Sequence, residues 1–302
     1  MPARNAGDFI RQSIDSVLAQ TYPDFELIII DDKSTDKTRE IVNSYADTRI
    51  KIVDGQGAGI SSAFNTGLEH AQGEYFCRCD ADDLFPPNRL AIQVDWLDKH
   101  PDYVAVCGSY TSIDKKGRHI IQYHRDTFSR CIDEKFREGH VITHFGTFLC
   151  LTKTLREIGG CRDFFITAED IDLQLRLSEK GKIYFIADNF YQYRLHNLSI
   201  THTQASSRKR FYEKVAKKCH TQRLASGCDD VELGQVRDDV LDSEDSENSH
   251  AHILNLLLGE SWYWHKKKNK KMALKVLTRL LLMSPFQFRV WKNFILIVLK
   301  PC

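Results

Sequence analysis

Three carboxylates crowd into four positions at Asp80-Ala81-Asp82-Asp83, and that crowding calls for a counter-charge. Two carboxylates about 5 Å apart, at an effective dielectric near 20, repel by roughly 3 kcal/mol. Either water on a loose turn offsets that repulsion or a cation in a site does. A hard divalent cation such as Mg2+ or Mn2+ takes carboxylate oxygens as ligands, and the D-x-D spacing of Asp80 and Asp82 offers two. Two further acidic pairs are conspicuous: Asp31-Asp32, directly after Leu27-Ile28-Ile29-Ile30, and Glu169-Asp170, directly before Ile171. A carboxylate is already ionised at neutral pH and can take a proton from an attacking hydroxyl. It can equally cap a turn or sit at a helix N-terminus for electrostatic reasons. The elements that carry these acids have to separate the readings.

Ile10, Ile14, Val17 and Leu18 fall at i, i+4, i+7 and i+8, which predicts an amphipathic helix over 8–21. Further helices are expected over 36–46, capped by Thr35, over 60–71, and over 87–100, opened by proline. Short β-rich runs over 25–30, 49–53, 74–79 and 103–107 read as strands. Strands alternating with helices at this spacing imply βαβ crossovers, hence an α/β fold with a mixed, mostly parallel central sheet flanked by helices. Asp31-Asp32 and Asp80–Asp83 both lie just past the carboxyl ends of expected strands, the edge where open α/β sheets bind ligands.

Beyond residue 110 the pattern is less regular. A hairpin turn is expected at 115–118, a strand-like stretch over 139–151, and a short helix over 153–158 that ends at Gly159-Gly160. A helix with acids in its first turn follows over 167–177, and then a strand over 182–187. From about 205 a helical stretch runs to about 225. The Asp- and Glu-rich segment 228–249 reads as a solvated linker or a mobile helix edge. The last fifty residues are helical, aromatic and basic, with Glu260 as their single acid.

Bulk composition narrows the function classes. The chain has 302 residues, 42% apolar and 27% charged, with a net charge of +1, so it is globular and carries no basic field for nucleic acid. Nine cysteines without a C-x-x-C pair read as reduced thiols and favour a cytoplasmic location. The N-terminus shows no apolar leader region, and no run of 18 apolar residues is present.

Several stretches, in this order, resemble glycosyltransferase family 2: P-A-R-N-A-G at 2–7, S-V-L-A-Q-T-Y-P-D-F-E-L-I-I-I-D-D-K-S-T-D-K-T at 16–38, G-E-Y-F-C-R-C-D-A-D-D at 73–83, N-R-L-A-I-Q-V at 88–94, G-G-C-R-D at 159–163, A-E-D-I-D-L-Q-L-R-L at 168–177 and Y-R-L-H at 193–196. The resemblance covers roughly 2–204. It implies an inverting enzyme of the GT-A fold that takes a nucleotide-diphosphate sugar, a UDP-sugar first, with a divalent cation (Mn2+ or Mg2+) as cofactor. The implied acceptor is a hydroxyl of a glycan or a lipid-linked acceptor, in cell-surface polysaccharide synthesis. By the same resemblance Asp82 is the direct metal ligand, Asp80 contacts the ribose or the metal, and Asp83 supports either. Asp32, with Asp31, is the base-contacting acid. Pro2, Ala3 and Asn5 line the nucleotide pocket, and Asn65 stands near the nucleotide or on a helix surface. Asp170 is the general base with Glu169 second. His196 completes the metal's shell or meets a phosphate, with Arg194 as the alternative diphosphate contact.

The chain departs from the family pattern at Phe145, where Pro usually follows the His of position 144, and at Cys161, where Tyr is usual. Both departures concern the acceptor side. In the family a strand of about five apolar residues precedes the P-x-R-N stretch, whereas here Met1 stands at its end. A shortened gene model is the expectation, and a version carrying the missing strand should be more stable and more active.

The expected division is a catalytic domain over 1–204, with a nucleotide-sugar half to about 108 and an acceptor half beyond it. A helical extension over 205–302 follows. The basic, aromatic helices of that extension suggest a weak contact with an anionic membrane surface, peripheral on the inner face of the cell membrane. A helical cap or a dimer contact is the alternative. Three other classes compete. A nicotinamide oxidoreductase would need G-x-G-x-x-G, which Gly55-Gln56-Gly57-Ala58-Gly59 does not supply. A nucleotidyl transferase would carry a Gly-rich, basic N-terminal loop. A non-catalytic sugar-nucleotide- or glycan-binding relative would have no need of Asp80, Asp82 and Asp170 together.

Overall fold

The computed structural model describes residues 1–123, 128–196, 206–236 and 249–300. The chain forms two compact units. The first comprises Met1–Tyr110, Tyr123–Tyr193 and Ser206–Ser243; the second comprises Thr111–Gln122, Arg194–Ala205 and Glu244–Cys302.

The first unit begins with a parallel ladder of β1 (Pro2–Ala3), β2 (Leu27–Asp31) and β3 (Ile50–Asp54). Pro2 stands opposite Ile30, and Leu27 to Asp31 stand opposite Ile50 to Asp54. All five residues of β2 are buried, as helices covering both faces of a parallel sheet require. Helix α1 (Ile10–Leu18) buries Ile10, Ile14 and Val17, the stripe its spacing predicts. Helix α2 (Thr38–Asn43) follows β2, and α3 (Ile60–His70) packs on β2 through its apolar side.

The second sheet runs β4 (Tyr75–Phe76), β8 (Leu149–Leu151), β5 (Tyr103–Asp114), β9 (Lys182–Leu195), β7 (Arg130–Cys131), with β6 (His119–Gln122) on β5. β4 with β8, β5 with β8, β5 with β6 and β7 with β9 are antiparallel. The pairing is mixed, as expected, with its parallel pairs in β1–β3. β4 keeps only two of the six residues expected, because the chain leaves the ladder at Cys77 to turn Arg78 and Asp80 into the site described below. Helices α4 (Arg89–Asp98), α5 (Asp133–Arg137), α6 (Thr152–Glu157) and α7 (Glu169–Ser178) complete this part of the unit.

Between β2 and β4 lies a cavity of about 740 Å³, with Leu27, Ile28 and Ile30 on one wall and Tyr75, Phe76 and Cys77 on the other. Met1 stands at its end: its ammonium donates to Ile28 O at 2.7 Å and its carbonyl accepts from Ile30 N at 2.9 Å.

Helix α8 (Ser206–Ser226) belongs to the first unit and packs on α7. Charge holds it there. Asp172, fully buried, meets Arg162 and Arg176; Arg162 reaches Asp229 at 2.7 Å; Arg223 bridges Asp229 and Glu179. Asp229 falls in the segment expected to be a solvated linker. It is 1% exposed instead, because two guanidinium groups on either side of it need a common anion. Residues 237–248 of that segment lie outside the described residues.

The second unit contains the β5–β6 turn and three helices, α9 (Ser249–Lys266), α10 (Lys270–Met283) and α11 (Phe288–Leu299). Asn269 caps α10 by accepting from Met272 N. Ala273, Leu277 and Leu280 form its buried stripe. Among the described residues no helix is long and apolar enough to cross a membrane.

Two outcomes test this packing. Asp229→Asn leaves Arg162 and Arg223 without their shared anion and is expected to cost roughly 3 kcal/mol, read by urea unfolding. Four or five β-branched residues added ahead of Met1 are expected to enter the cavity beside β2 and raise Tm by roughly 5 °C or more. Each aliphatic side chain fully buried there contributes roughly 1.5–3 kcal/mol, and roughly 2–4 °C accompanies each kcal/mol at this size. An unchanged Tm would count against that filling.

Candidate active site

The centre of the site is a residue that sequence reasoning passed over. Arg78 follows β4 and is 6% exposed. Its Nε lies 3.0 Å from Asp80 Oδ1 and its Nη2 3.3 Å from Asp80 Oδ2. Nη1 of the same guanidinium lies 3.1 Å from Glu169 Oε1, 91 positions along the chain. The first and third acidic motifs therefore meet on one cation. Burial alone would lower the pKa of Arg78, but the carboxylates of Asp80, Glu169 and Asp170 reverse that and raise it well above the usual value.

The D-x-D turn is tied down through its backbone. Asp80 N donates to Tyr191 Oη at 3.1 Å, Asp83 N donates to Asp80 O at 3.1 Å, and Leu84 exchanges two backbone bonds with Gln192 of β9. Burial first, and the neighbouring Asp80 and Asp83 next, push the Tyr191 phenol well up, so it stays a neutral partner. Asp83 is fully buried, whereas Asp82 remains partly open.

Glu169 and Asp170 open α7. The residue before them, Ala168, has φ of 58°, a left-handed conformation that a non-glycine residue adopts at a cost. It brings Glu169 inward while Asp170 stays half-exposed. Burial and the adjacent Asp170 push Glu169 up to about 7, against the downward pull of Arg78. His144 belongs to the same neighbourhood. Its ring centroid lies 5.2 Å from that of Tyr191, 5.3 Å from Tyr193 and 5.8 Å from Tyr110. Its Nδ1 accepts from Gly146 N at 3.0 Å, so the neutral ring carries its proton on Nε2. Burial holds its pKa below the ordinary histidine value despite the nearby Asp170.

Arg89 and Gln93, in the N-R-L-A-I-Q-V stretch, position that histidine's loop. Arg89, 1% exposed, donates to Gly146 O at 2.6 Å and Phe148 O at 3.0 Å, and Gln93 Nε2 donates to Thr147 O at 2.8 Å. Arg176 does the same for the Gly-Gly turn, donating to Ile158 O and Gly160 O.

The second acidic pair builds a neighbouring edge. Asp32 accepts from Gly57 N at 2.7 Å and Gly59 N at 3.2 Å, and its own N donates to Ala3 O at 2.8 Å. A Cβ on Gly55 would lie 2.7 Å from Asp32 Oδ1, so only glycine fits there. Asp31 accepts from Ser34 N at 3.1 Å and from Arg39 at 3.1 Å. Burial tends to raise its pKa, but Ser34 and Arg39 together hold it below the usual value. Asn5, with φ of 51°, accepts from Thr35 N at 2.8 Å. Pro2, Ala3, Asn5, Asp31 and Asp32 are thus brought together at the carboxyl ends of β1 and β2.

Asn65 braces the turn after Gly160: its amide donates to Cys161 O and accepts from Cys161 N, both at 2.8 Å. His196 follows the end of β9 and falls in the second unit, so it is not counted with the carboxylates. Arg194, expected as the alternative diphosphate contact, is fully buried and donates to Asp114 O and Lys115 O. It clamps a hairpin instead. No group of three or more His, Cys, Asp or Glu side chains is gathered in metal-binding geometry among the described residues.

A sequence model of the family described as glycosyl transferase family 2 matches residues 1–159. The chain belongs to glycosyl transferase family 2. An uncharacterised glycosyltransferase of Rickettsia typhi is 32% identical over 210 residues, 67% of this chain and 65% of that protein. The chondroitin synthase of Escherichia coli is 30% identical over 218 residues, 71% of this chain and 31% of the synthase. The chain thus spans just under two thirds of the first relative and about a third of the second. In structure it is similar to Staphylococcus aureus TarS 1–349, solved in complex with UDP-GlcNAc, with a TM-score of 0.56 at 15% identity over 98% of this chain and 77% of that one. The fold is therefore the GT-A fold.

Within this family 2 chain, Arg78 had a signal that could have found it. A charged residue inside the run Tyr75-Phe76-Cys77-Arg78-Cys79 is almost never fully buried unless it is paired, and its partners had to be acids. Tyr191 carried no such signal, because a tyrosine in an apolar strand reads as core. Removing the guanidinium should be costly. Arg78→Met is expected to lose roughly 3–5 kcal/mol in urea unfolding, and Arg78→Lys, a single point of charge in place of a fork, to recover part of that. A neutral Arg78→Met would mean that the two carboxylates do not depend on it.

Glu169 gives a pH signature. Its pKa is raised in the folded chain, so its contribution to stability is fully present below about pH 4.5 and is lost as pH rises through about 7. Glu169→Gln removes that loss, and its Tm relative to the unaltered chain should climb between pH 5 and pH 8. A Tm difference independent of pH would contradict the burial of an ionising Glu169.

Proposed function

We propose that the chain transfers a glycosyl group with inversion from a nucleotide-diphosphate sugar, a UDP-sugar first, to a hydroxyl of a glycan or lipid-linked acceptor during cell-surface polysaccharide synthesis. The observation that carries this reading is Arg78, which holds Asp80 of the D-x-D turn and Glu169 of the E-D pair on one guanidinium. A displacement needs groups for the departing diphosphate and a base for the incoming hydroxyl at one centre. The polysaccharide-building name of the chondroitin synthase relative and the UDP-GlcNAc bound by TarS support the choice of donor and product class.

Each residue's task follows from its surroundings. Pro2, Ala3, Asn5, Asp31 and Asp32 form the edge that takes the nucleotide, with Asp32 offered to a ring N–H. Asp82, partly open, and Asp80, oriented by Arg78, would hold a divalent cation. Two hard carboxylates, with the remaining positions left to phosphate oxygens and water, are the usual protein share of a Mg2+ site, so the donor set fits. When bound, such a cation supplies a Lewis acid to the leaving diphosphate. Asp170, half-exposed beside the buried Glu169, takes the proton of the acceptor hydroxyl at its carboxylate oxygen. The eight described cysteines are all free thiols, which supports a reducing cytoplasm as the working compartment.

A panel of nucleotide sugars with Mg2+ or Mn2+, read out as released nucleoside diphosphate, tests the reading. Asp82→Ala is expected to remove metal-stimulated turnover. Asp170→Asn should keep donor binding by calorimetry and lose turnover by roughly 10²–10⁴-fold. Full turnover in the presence of a chelator would rule out the cation's part, and donor binding with no turnover under any condition would favour a binding relative over an enzyme.

A further inference from the structure

The second unit presents to water a surface that an ordinary helical cap does not. Helix α11 buries Val290 and Ile297, both at 0% exposure. Its other side is apolar too: Phe288 is 80% exposed, Trp291 45%, Ile295 51%, Val298 41% and Leu299 75%. Spacings of three and four residues put these five on one stripe of the helix. The end of α10 and the turn after it add Leu282 and Phe286, at 82% and 98% exposure. Seven large apolar side chains exposed within eighteen residues make a contiguous patch, and patches of this kind mark interaction surfaces on soluble proteins.

The charge around the patch has one sign. Residues 249–300 carry ten Lys and Arg and one acid, Glu260. Glu260 is 2% exposed and accepts from Trp264 Nε1, so it does not offset the surface charge. Arg289 and Lys292 of α11, and Lys300 just after it, are all exposed. On α10 the exposed stripe reads Lys271, Lys275, Thr278, Leu282, a basic face that ends in the apolar patch.

We propose that α11 and the α10–α11 turn dock on the surface of an anionic phospholipid bilayer. Phe286, Phe288, Trp291, Ile295 and Leu299 enter the boundary between headgroups and acyl chains, and Arg289, Lys292 and Lys300 meet the headgroup phosphates. Charge complementarity decides the occupant. A second copy of the chain would cover the apolar stripe but would bring the exposed Arg289, Lys292 and Lys300 of one copy against the same three of the other. An anionic bilayer satisfies the stripe and the charge together. The helix lies in the surface and does not cross it, because twelve residues reach about 18 Å against a hydrocarbon core of about 30 Å. The proposal goes beyond the sugar-transfer reading and does not depend on it.

The experiment is flotation of the full chain with phosphatidylcholine vesicles, with and without phosphatidylglycerol, at low salt and at about 0.5 M NaCl. Recovery with the anionic vesicles should exceed that with neutral ones by roughly tenfold or more and fall with salt. The double variant Phe288→Ser, Ile295→Ser, which alters exposed positions only, should keep its Tm and lose binding to anionic vesicles by at least tenfold. Arg289→Glu with Lys292→Glu should remove the preference for anionic vesicles. Equal recovery with both vesicle types, or binding indifferent to these variants, would overturn the proposal. So would a concentration-dependent dimer in vesicle-free solution that the Phe288→Ser, Ile295→Ser variant abolishes, since the stripe would then be covered by a second copy.

Discussion

Arg78 can stay buried and charged only while acids surround it, and Asp80 and Glu169 can stay close only while Arg78 lies between them. Each half of that arrangement is unfavourable without the other, since an unpaired charge taken out of water is among the most costly defects a fold can carry. The pairing explains several features at once. β4 breaks off early so that Arg78 can turn inward; Ala168 accepts a left-handed backbone so that Glu169 can reach it; and Tyr191 reaches across from β9 to hold Asp80's backbone in place. Local irregularities at three separate points of the chain serve one electrostatic contact.

The parallel ladder and the positions of its acids were legible from periodicity. β2, β3 and α1–α3 form where short apolar runs alternate with amphipathic stretches, and Asp31-Asp32 fall at the strand end as expected. The two-residue β1 (Pro2–Ala3) was not expected as a strand. The length of β9 was not legible, because its extra residues meet a distant partner, Leu84 opposite Gln192, that no local pattern names. β5 instead lengthens by pairing with β6 across the turn expected at 115–118. Asn65 shows a limit of a different kind. A side chain with a donor and an acceptor can face a ligand or a backbone turn, and its residue type is the same in both cases. Asp229 shows a third. An acid-rich, apolar-poor stretch reads as solvated unless the arginines waiting for it elsewhere in the chain are known.

Buried and partly buried arginines recur as loop holders in the first unit. Arg89 fixes the 144–148 loop by its carbonyls, Arg176 fixes the Gly159-Gly160 turn, and Arg162 joins α7 to Asp229. A guanidinium has five donors in a fixed plane, so one side chain can satisfy several carbonyls at the end of a strand or helix. The motif stretches therefore mix two kinds of residue: acids that face the site, and arginines and amides that hold the acids' backbone in position.

The network around Asp229 bears on what counts as the smallest autonomous piece of this protein. The family match ends at residue 159, and the resemblance carried by the motif stretches ends near 204. Yet Ala168, next to Glu169, shares a hydrophobic cluster with Tyr212, Ala216 and Cys219 of α8, and Glu179 relies on His220 and Arg223 of the same helix. A fragment cut at 159 would lack α7 and its acids altogether. One cut near 204 would strip Arg162 and Glu179 of their partners at Asp229, His220 and Arg223. Heredity marks out a shorter segment than thermodynamics does, since the ion pairs that support α7 reach as far as Asp229.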